Sequence, residues 1–229
     1  MMSDSLGPSI ANYIQTTYRE GQSHAGFGPK LKTLLTLSVV PLERRKVRRL
    51  LSENKRIKLH LGCSDTYLDG WVNVDLARPG RRLDLQWDLR RGIPFPDRSV
   101  SLIFSEHLWE HIPLPGGFQL LQECYRALKP GGLIRIGVPN LDRYLKSYFE
   151  RDDVIDNVRP GRPTRALALS ELFYFYDHRA MYDAATLTTM LKEVGFENAV
   201  QTEFGGGRMD PSVDSLNRKS ETLYVEANR

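Results

Sequence analysis

Cysteine is scarce in this chain of 229 residues, which has only Cys63 and Cys124 and no CxxC pair. Two cysteines are too few for a disulfide framework, so both are expected to be reduced thiols. Long apolar runs are missing as well, because no stretch approaches the roughly 18 residues that a helix needs to cross a bilayer. The start, MMSDSLGPSI, has no basic flank leading into an apolar run. No membrane span and no secretory leader are therefore predicted, and the expected location is cytoplasmic.

Glycine is also scarce at the turn where a phosphate-binding loop would need it. The stretch KLHLGCSDTYLDGWVNVD, residues 58–75, is typical of a strand, a tight turn and a second strand that ends on an acid. The turn directly after the first strand holds a single glycine, Gly62. A phosphate cradle uses several glycines that let the backbone approach the ligand, so this turn is not expected to bind a phosphate.

The basic residues are unevenly distributed. The net charge is +4, and residues 1–56 contain 10 Lys or Arg against 4 Asp or Glu, whereas the rest of the chain is slightly acidic. ERRKVRRLLSENKR, residues 43–56, places Val47, Leu50 and Leu51 on one helical face with arginines around the other. This pattern is typical of a solvated amphipathic helix, and it also permits an anionic partner such as RNA, a lipid headgroup or a charged substrate.

The rest of the sequence predicts one α/β domain. With 41% apolar residues the chain can bury a single good core, so we expect an N-terminal arm and basic helical segment at 1–56 and one domain at 57–229. A helical pattern that starts at residue 30 is expected to break at Pro41. Short β-like runs alternate with loops or helices, which is typical of a parallel sheet with right-handed crossovers. The runs are 57–61, 71–75, 83–87, 100–105, 133–138, 198–204 and 221–226, and the clearest helices are 117–128 and 184–194.

The order of the motifs resembles one enzyme family. A strand is followed by LGC, the next strand ends on an acid, and IPFPDRSVSLIFSEHLWEHI, a helix and LKPGG precede another strand. This order is similar to that of the class I S-adenosylmethionine-dependent methyltransferases, above all the group called methyltransferase type 11. The likeness covers residues 57–139 strongly and the C-terminal tail more loosely. It implies S-adenosylmethionine as cofactor and a Rossmann-like α/β fold. The expected sheet has seven strands, mostly parallel with the last strand antiparallel, flanked by helices, with a helical lid inserted at 140–182.

The resemblance also implies which residues bind the cofactor. The turn after the first strand would lie under the methionine half, and an acid that ends the second strand would accept hydrogen bonds from the ribose hydroxyls. An acid after the third strand would contact adenine. Two positions depart from the family pattern, because His60 replaces an acid and Ser64 replaces a second glycine. The implied cofactor-binding residues are His60, Leu61, Gly62, Cys63, Ser64, Asp75, Leu76, Asp88, Leu89, Ser105 and Glu106.

The catalytic candidates follow the fourth strand. Methyl transfer is an in-line displacement at a sulfonium carbon, so the enzyme mainly aligns the acceptor with the methyl group, and a hydroxyl acceptor also needs a base. His111 is the first candidate for this base, because an imidazole titrates near neutral pH, and His107 and Glu106 follow. Glu110 is expected to have a surface or helix-orienting role, and Trp109 is expected to be buried packing.

The same residues allow a second interpretation. His107 to His111 read HLWEH, which matches HxxEH, the inverted zinc-protease motif in which two histidines bind zinc and a glutamate is the base. The motif is short, and Pro113 and Pro115 leave little helix to carry it. The methyltransferase interpretation implies no metal, because the clustered acids, Asp75 and Asp88, are assigned to the cofactor.

The predicted lid supplies an acceptor pocket. Its aromatic side chains combine flat apolar faces with polar tips, which suits sugars or aromatic metabolites. The expected reaction is O-methylation of a small molecule, such as a sugar, glycoside or secondary-metabolite hydroxyl, in biosynthesis. The alternatives are an RNA methyltransferase or RNA-binding module that uses the basic helix, and a catalytically silent partner protein. The candidate substrate-binding residues are Tyr144, Tyr148, Tyr174, His178, Arg179 and Tyr182.

Overall fold

The structure is a computed structural model that describes residues 36–53, 56–76 and 80–229. The predicted arm at the start of the chain lies outside these residues. The helices and strands, labelled in chain order, are α1 (Val40–Glu53), β1 (Ile57–Leu61), β2 (Val72–Asp75), β3 (Leu85–Gln86), β4 (Val100–Glu106), α2 (Leu114–Ala127), β5 (Leu128–Pro139), α3 (Leu141–Glu150), α4 (Val154–Val158), α5 (Arg165–Tyr174), α6 (Ala184–Val194), β6 (Glu197–Thr202) and β7 (Thr222–Asn228).

Within the described ranges, seven strands form one sheet in the order β3-β2-β1-β4-β5-β7-β6. The neighbours from β3 to β5 run parallel, and β7 is antiparallel to both β5 and β6. The predicted α/β class and the mostly parallel sheet with an antiparallel last strand are thereby confirmed. The strand order reverses between β1 and β4. In open α/β sheets, ligands bind at the carboxyl ends of the strands at such a reversal.

The two faces of the sheet are covered differently. On one face, Leu59 and Ile103 are buried in the main core under α2 and α6. On the other face, Trp71 and Phe104 pack with Met209, which belongs to the chain between β6 and β7. Parallel strands are buried on both faces, and full burial of one such apolar side chain stabilises a fold by about 1.5–3 kcal/mol. The connection from β6 to β7 is therefore held against the sheet.

Three element boundaries differ from the predicted ones for local reasons. The helical pattern breaks at Val39 rather than at Pro41, because residues 36–38 are helical and α1 begins at Val40, where a proline in the first turn has no intrahelical hydrogen bond to lose. Pro115 occupies the same place in α2, which begins three residues before the predicted start at 117. β5 also begins early, because Leu128 already pairs with Val100 ahead of an irregularity in the register.

The lid segment, residues 140–182, lies between β5 and α6. Its helices α3, α4 and α5 share an apolar cluster of their own around Tyr144, Ile155 and Leu172. The two ends of the segment meet, because Leu141 donates its backbone N–H to the carbonyl oxygen of Tyr182 at 3.1 Å. The two ends of the lid segment are therefore joined next to the carboxyl end of β5.

Both cysteines are buried and form no disulfide, as the sequence predicted. Burial raises the pKa of the Cys124 thiol, which keeps it protonated. Among the helices that the structure describes, none has the length and apolar content required to span a bilayer.

Candidate active site

A cavity of about 630 Å³ lies at the carboxyl ends of β1 and β4. The turn after β1 contributes residues 62–66 to its wall, and the chain before β7 contributes Arg218 and its neighbours. The segment after β4 and the lid segment complete it. The cavity therefore joins the predicted cofactor turn, the catalytic candidates and the lid in one space. The wall residues from the last two segments include Glu106, His107, Glu110, His111, Tyr144, Leu172, Tyr176 and His178.

The turn after β1 depends on Gly62. Its φ of 67° lies in the left-handed region that favours glycine. A Cβ at this position would lie 2.8 Å from the Leu108 side chain, so the turn and the segment after β4 can pack together only around a glycine. The Gly62 N–H also donates to the carbonyl oxygen of Val74 at 2.9 Å. Gly62 thus sets the spacing between the ends of β1, β2 and β4.

Asp75 ends β2, and backbone groups orient its carboxylate. Ser64 donates its N–H to Oδ2 at 2.8 Å, and Leu76 donates its N–H to Oδ1 at 2.7 Å. These bonds hold the acid beside the turn after β1. An ionised carboxylate oxygen accepts more than one hydrogen bond, so this geometry is compatible with additional contacts to a ribose diol.

The two departures from the family pattern are both accommodated. His60 is buried and shares a hydrogen bond of 3.0 Å with the Asn73 side chain. Burial lowers the pKa of His60 more than this bond raises it, so the ring is neutral at pH 7 and does not repel a cationic ligand. Ser64 adopts a φ of 47°, which is the backbone conformation that a glycine would favour there. Neither residue closes the cavity.

Asp88 follows β3 and is paired with Arg90. The Arg90 guanidinium donates to both carboxylate oxygens, at 2.8 and 2.7 Å, and the Arg90 N–H donates to one of them. Burial acts to raise the pKa of Asp88, but the hydrogen bonds from Arg90 outweigh it and the pKa is lowered. Asp88 and the buried Leu89 lie one strand beyond Asp75, and none of these three residues is part of the cavity wall.

Glu106 and His107 line the cavity but are held by internal hydrogen bonds. Glu106 accepts from the Tyr224 hydroxyl at 2.6 Å and from the Ser215 N–H at 3.1 Å. His107 lies 2.9 Å from both Arg218 and Thr222, one at each ring nitrogen. Because a guanidinium only donates, Nδ1 accepts from Arg218 and Nε2 carries the proton. Burial, together with the positive charge of Arg218, lowers the pKa of His107 well below its usual value.

The next residues form a short 3-10 turn, Trp109–His111, fixed by Trp109. This indole is fully buried and donates its Nε1–H to the Ser105 hydroxyl at 2.6 Å. Trp109 is therefore the packing residue that the sequence predicted. Ser105, like Leu61, lies in the core behind the cavity wall. With Trp109 pointing inward, Glu110 and His111 face the cavity.

Glu110 was expected to have a surface or orienting role, but it is completely buried and lines the cavity. Neither carboxylate oxygen has a hydrogen-bond partner among the described residues. Burial raises the pKa of Glu110 to about 8. Its backbone carbonyl accepts from the N–H groups of Arg179 and Ala180, at 2.6 and 3.2 Å. The returning end of the lid segment therefore holds the main chain at Glu110, while its carboxylate has only longer contacts, from Oε1 to His107 Nδ1 at 3.4 Å and to His111 Nε2 at 3.8 Å.

His111 and His178 come together although they are far apart in the sequence. Their rings make an edge contact with centroids 5.0 Å apart. The His178 Nδ1 lies 2.5 Å from the Leu172 carbonyl oxygen, so Nδ1 donates and Nε2 offers a lone pair. Burial lowers the pKa of both rings, that of His178 to about 4. The potential ligand atoms of Glu110, His111 and His178 all lie within 4.8 Å of one another.

The predicted substrate residues occupy different places. Tyr144 and His178 line the cavity, and the Tyr144 hydroxyl donates to Glu221 at 2.6 Å. Tyr148 packs on the lid's own apolar cluster, and Tyr182 is fully buried in the main core. The structure does not bring these two to the cavity. It also places Tyr174 and Arg179 outward: both are exposed, and Arg179 pairs with Asp177.

Two further wall residues escaped the sequence-based selection. Arg218 belongs to a stretch with the composition of a mobile loop. It contacts His107, which lies 111 positions earlier in the sequence, and no local pattern predicts such a contact. Glu110 was expected to have a surface or helix-orienting role, although the HxxEH pattern already indicated a chemical one. That pattern identified Glu110 and His111 as neighbours on one turn, but not His178 as their third partner.

The comparisons with known proteins agree with this geometry. A family model described as "Methyltransferase domain" matches residues 61–201. A Mycolicibacterium smegmatis protein named "Probable S-adenosylmethionine-dependent methyltransferase" is 30% identical over 118 residues, which cover 48% of this chain and 35% of that protein. Malonyl-acyl carrier protein O-methyltransferase 1 of Coxiella burnetii is 30% identical over 128 residues, which cover 50% of this chain and 43% of that protein. The match therefore spans less than half the length of each relative.

A solved structure shows the same fold. The crystal structure of an S-adenosylmethionine-dependent methyltransferase from Archaeoglobus fulgidus matches with a TM-score of 0.51 and 17% identity, over 82% of this chain and 94% of that one. The family match covers more than half of the chain, from the turn after β1 to β6. The chain therefore belongs to the class I S-adenosylmethionine-dependent methyltransferases.

Proposed function

We propose that the protein transfers a methyl group from S-adenosylmethionine to a hydroxyl oxygen of a small molecule, such as a sugar, a glycoside or a secondary metabolite. One observation carries this proposal: a single cavity joins the turn after β1 to the Glu110, His111 and His178 side chains under the lid segment. Its volume of about 630 Å³ is in the range of small-molecule sites, about 300–1,000 Å³.

In this mechanism the chain supplies binding, alignment and removal of a proton. S-adenosylmethionine provides the methyl group on a sulfonium centre, and the carbon–sulfur bond breaks as a carbon–oxygen bond forms, so the acceptor hydroxyl must lose its proton. Asp75 would hold the ribose, and the turn at Gly62 would hold the methionine half. Of the three predicted bases, only His111 belongs to the group with Glu110 and His178. We propose that this group contacts the acceptor oxygen and promotes its deprotonation.

Glu106 and His107 would serve the site in another way. Both ring nitrogens of His107 are already bonded, to Arg218 and Thr222, so His107 is not placed to take a proton from the acceptor. Both hydrogen bonds of Glu106, from Tyr224 and Ser215, reach Oε1 and hold its carboxylate in place. The two residues hold the chain before β7 against the cavity.

An oxygen acceptor and a small substrate are supported by two further points. The Coxiella relative is named as an O-methyltransferase. The basic helix α1, which would serve an RNA substrate, packs at the edge strand β3, where Glu43 accepts from the Gln86 N–H at 3.1 Å. Its arginines are not part of the cavity wall. Cys63 and Cys124 are buried and form no disulfide, which supports the cytoplasmic location that we also propose.

A screen of acceptors tests the proposal. The protein is incubated with methyl-labelled S-adenosylmethionine and panels of sugars, glycosides and phenols, with total RNA as a separate arm, and the labelled atom is identified by mass spectrometry and NMR. We expect label on oxygen of one small-molecule class. Label on RNA, or on nitrogen, would contradict the proposal.

Calorimetric titration with S-adenosylhomocysteine tests the cofactor site in the same preparation. Asp75→Asn is expected to weaken binding at least tenfold, because a hydrogen bond to a charged acceptor contributes about 1.5–3 kcal/mol. Asp69→Asn is the matched control, since Asp69 lies on the connection between β1 and β2 with its side chain 90% exposed. Equal affinity of the two variants would remove the proposed role of Asp75.

A further inference from the structure

We propose that Glu110, His111 and His178 bind one divalent first-row transition-metal ion inside the cavity. The binding itself stands on the contacts of these three residues. Its use in catalysis rests on the proposed function, because a bound cation is a Lewis acid that lowers the pKa of a coordinated hydroxyl.

The three side chains converge from two segments of the chain. Glu110 and His111 come from the short turn after β4, and His178 comes from the lid segment. Their potential ligand atoms lie within 4.8 Å of one another, and His111 Nε2 lies 3.8 Å from Glu110 Oε1. Around a tetrahedral metal with bonds of about 2.1 Å, ligand atoms lie about 3.4 Å apart. Small rotations of the side chains would therefore bring all three onto one ion.

The absence of a hydrogen-bond partner for the Glu110 carboxyl group, among the described residues, is independent support for a cation site. A carboxylate with no exposure to solvent and no hydrogen-bond partner is costly to bury unless a charge or a metal accompanies it. Both oxygens belong to a side chain on the cavity wall, so a bound ion would meet them there. A transition-metal ion would provide the partner that the described residues do not.

His178 is oriented as metal-binding histidines usually are. Ligand imidazoles commonly donate their second ring N–H to a carbonyl or carboxylate, which fixes the tautomer and directs the other nitrogen at the metal. The Nδ1–H of His178 has this contact with the Leu172 carbonyl at 2.5 Å. Nε2 is left to bind an ion.

His107 is excluded from the ligand set by its own partners. In the inverted zinc-protease motif both histidines bind the metal and the glutamate is a base. Here the ring nitrogens of His107 already contact Arg218 and Thr222. The proposed ligands therefore include Glu110 and His111 of the motif, and the second histidine ligand is His178 of the lid segment.

The charge around the site favours a divalent cation. Glu106 and Glu221 interact electrostatically with Glu110, and Arg218 is the positive group that acts on it. Around Glu110, two carboxylates against one guanidinium leave a negative balance. Two imidazoles with one carboxylate suit zinc, iron, cobalt or nickel, whereas magnesium and calcium prefer an all-oxygen set.

Metal titration of tag-free, chelator-treated protein tests the inference without cofactor or acceptor. Calorimetry with Zn²⁺ and visible absorption with Co²⁺ are expected to show one ion per chain, with at least tenfold weaker binding of Mg²⁺ and Ca²⁺. Glu110→Gln and His178→Asn are each expected to weaken Co²⁺ binding at least tenfold. Asparagine at 178 can still donate to the Leu172 carbonyl, so this variant removes only the Nε2 ligand.

Asp65→Asn is the matched control, because Asp65 is also an acid on the cavity wall, but its side chain is 56% exposed and pairs with Arg81. We expect it to change Co²⁺ affinity less than threefold. Thermal melting with and without Zn²⁺ checks that each variant is folded, and only the wild type and the control should gain stability from the ion.

Failure of Zn²⁺ and Co²⁺ to bind at millimolar concentration, or equal losses of Co²⁺ affinity in the control and the Glu110 variant, would overturn the inference. One bound ion in a protein that methylates no oxygen would leave the site intact and contradict the proposed function instead.

Discussion

Gly62 carries two constraints at once, a left-handed backbone and a lack of space for a side chain. Its φ is 67°, and a Cβ there would lie 2.8 Å from Leu108. Leu108 directly precedes the turn that bears Glu110 and His111. The position of a single glycine therefore affects both the cofactor turn and the group that we assign to the acceptor.

Gly62→Ala is expected to destabilise the protein more than Gly131→Ala, which imposes a similar left-handed backbone strain without a steric clash. Left-handed conformation costs a non-glycine residue about 1–2 kcal/mol, and overpacking adds about 1–3 kcal/mol. Gly131→Ala is the control, because Gly131 has a φ of 74° and nothing within 4 Å of its would-be Cβ. Urea unfolding of both variants measures the difference, and equal free energies of unfolding would show that Leu108 moves aside at no cost.

Single residues also differ in how far their place in the structure can be predicted from the sequence. The acid of Asp75 is identified by its place at the end of a strand, and that place is a local property of the sequence. The burial of Glu110 is not local, because a glutamate on a short turn is ordinarily exposed. It is buried here because the lid segment packs over it, with Arg179 and Ala180 bonded to its carbonyl oxygen.

At the level of elements, the connection from β6 to β7 is organised by Arg135 of β5. The guanidinium is fully buried and donates to Asp214 at 2.8 and 2.5 Å and to Glu226 at 3.0 Å. Asp214 directly precedes Ser215, whose N–H donates to Glu106 on the cavity wall. A buried ion pair on the sheet thus positions the chain that closes one side of the site.

Arg135→Met is expected to lower the free energy of unfolding by about 3–5 kcal/mol, because it leaves Asp214 and Glu226 buried without their cation. Arg208→Met is the control: its guanidinium is 3.6 Å from Glu226 and 46% exposed, and such pairs contribute about 1 kcal/mol or less. Guanidinium chloride unfolding of both variants tests this. A loss below about 1 kcal/mol for Arg135→Met would mean that the network contributes little.

Over the whole molecule, the lid segment is stabilised by fewer contacts than the sheet. Its apolar cluster is separate from the main core, and its two ends meet at Leu141 and Tyr182. Besides that anchor, the Tyr144 hydroxyl donates to Glu221 at 2.6 Å next to β7. A unit with a small core of its own is expected to open locally at a lower free energy than the sheet.

Hydrogen exchange followed by mass spectrometry is expected to show faster exchange in α3, α4 and α5 than in β1, β4 and β5. Tyr144→Phe should increase exchange in the lid by about tenfold, since a hydrogen bond to a charged group contributes about 1.5 kcal/mol or more. Tyr148→Phe is the control, because this tyrosine packs on the lid's own cluster. Equal exchange in lid and sheet would show that the two open as one unit.

The amino-acid sequence was sufficient for the class of fold, the mostly parallel sheet with an antiparallel last strand and the cofactor, because these depend on local patterns and on motifs in a given order along the chain. Alternating runs, Gly62 in the turn and Asp75 at a strand end are each visible within a few residues. The meeting of His178 with Glu110 and His111, the unpaired carboxylate of Glu110 and the ion pairs of Arg135 were decided only by the tertiary structure. Burial and partnership depend on which distant segments pack together, and no local pattern in the chain records that.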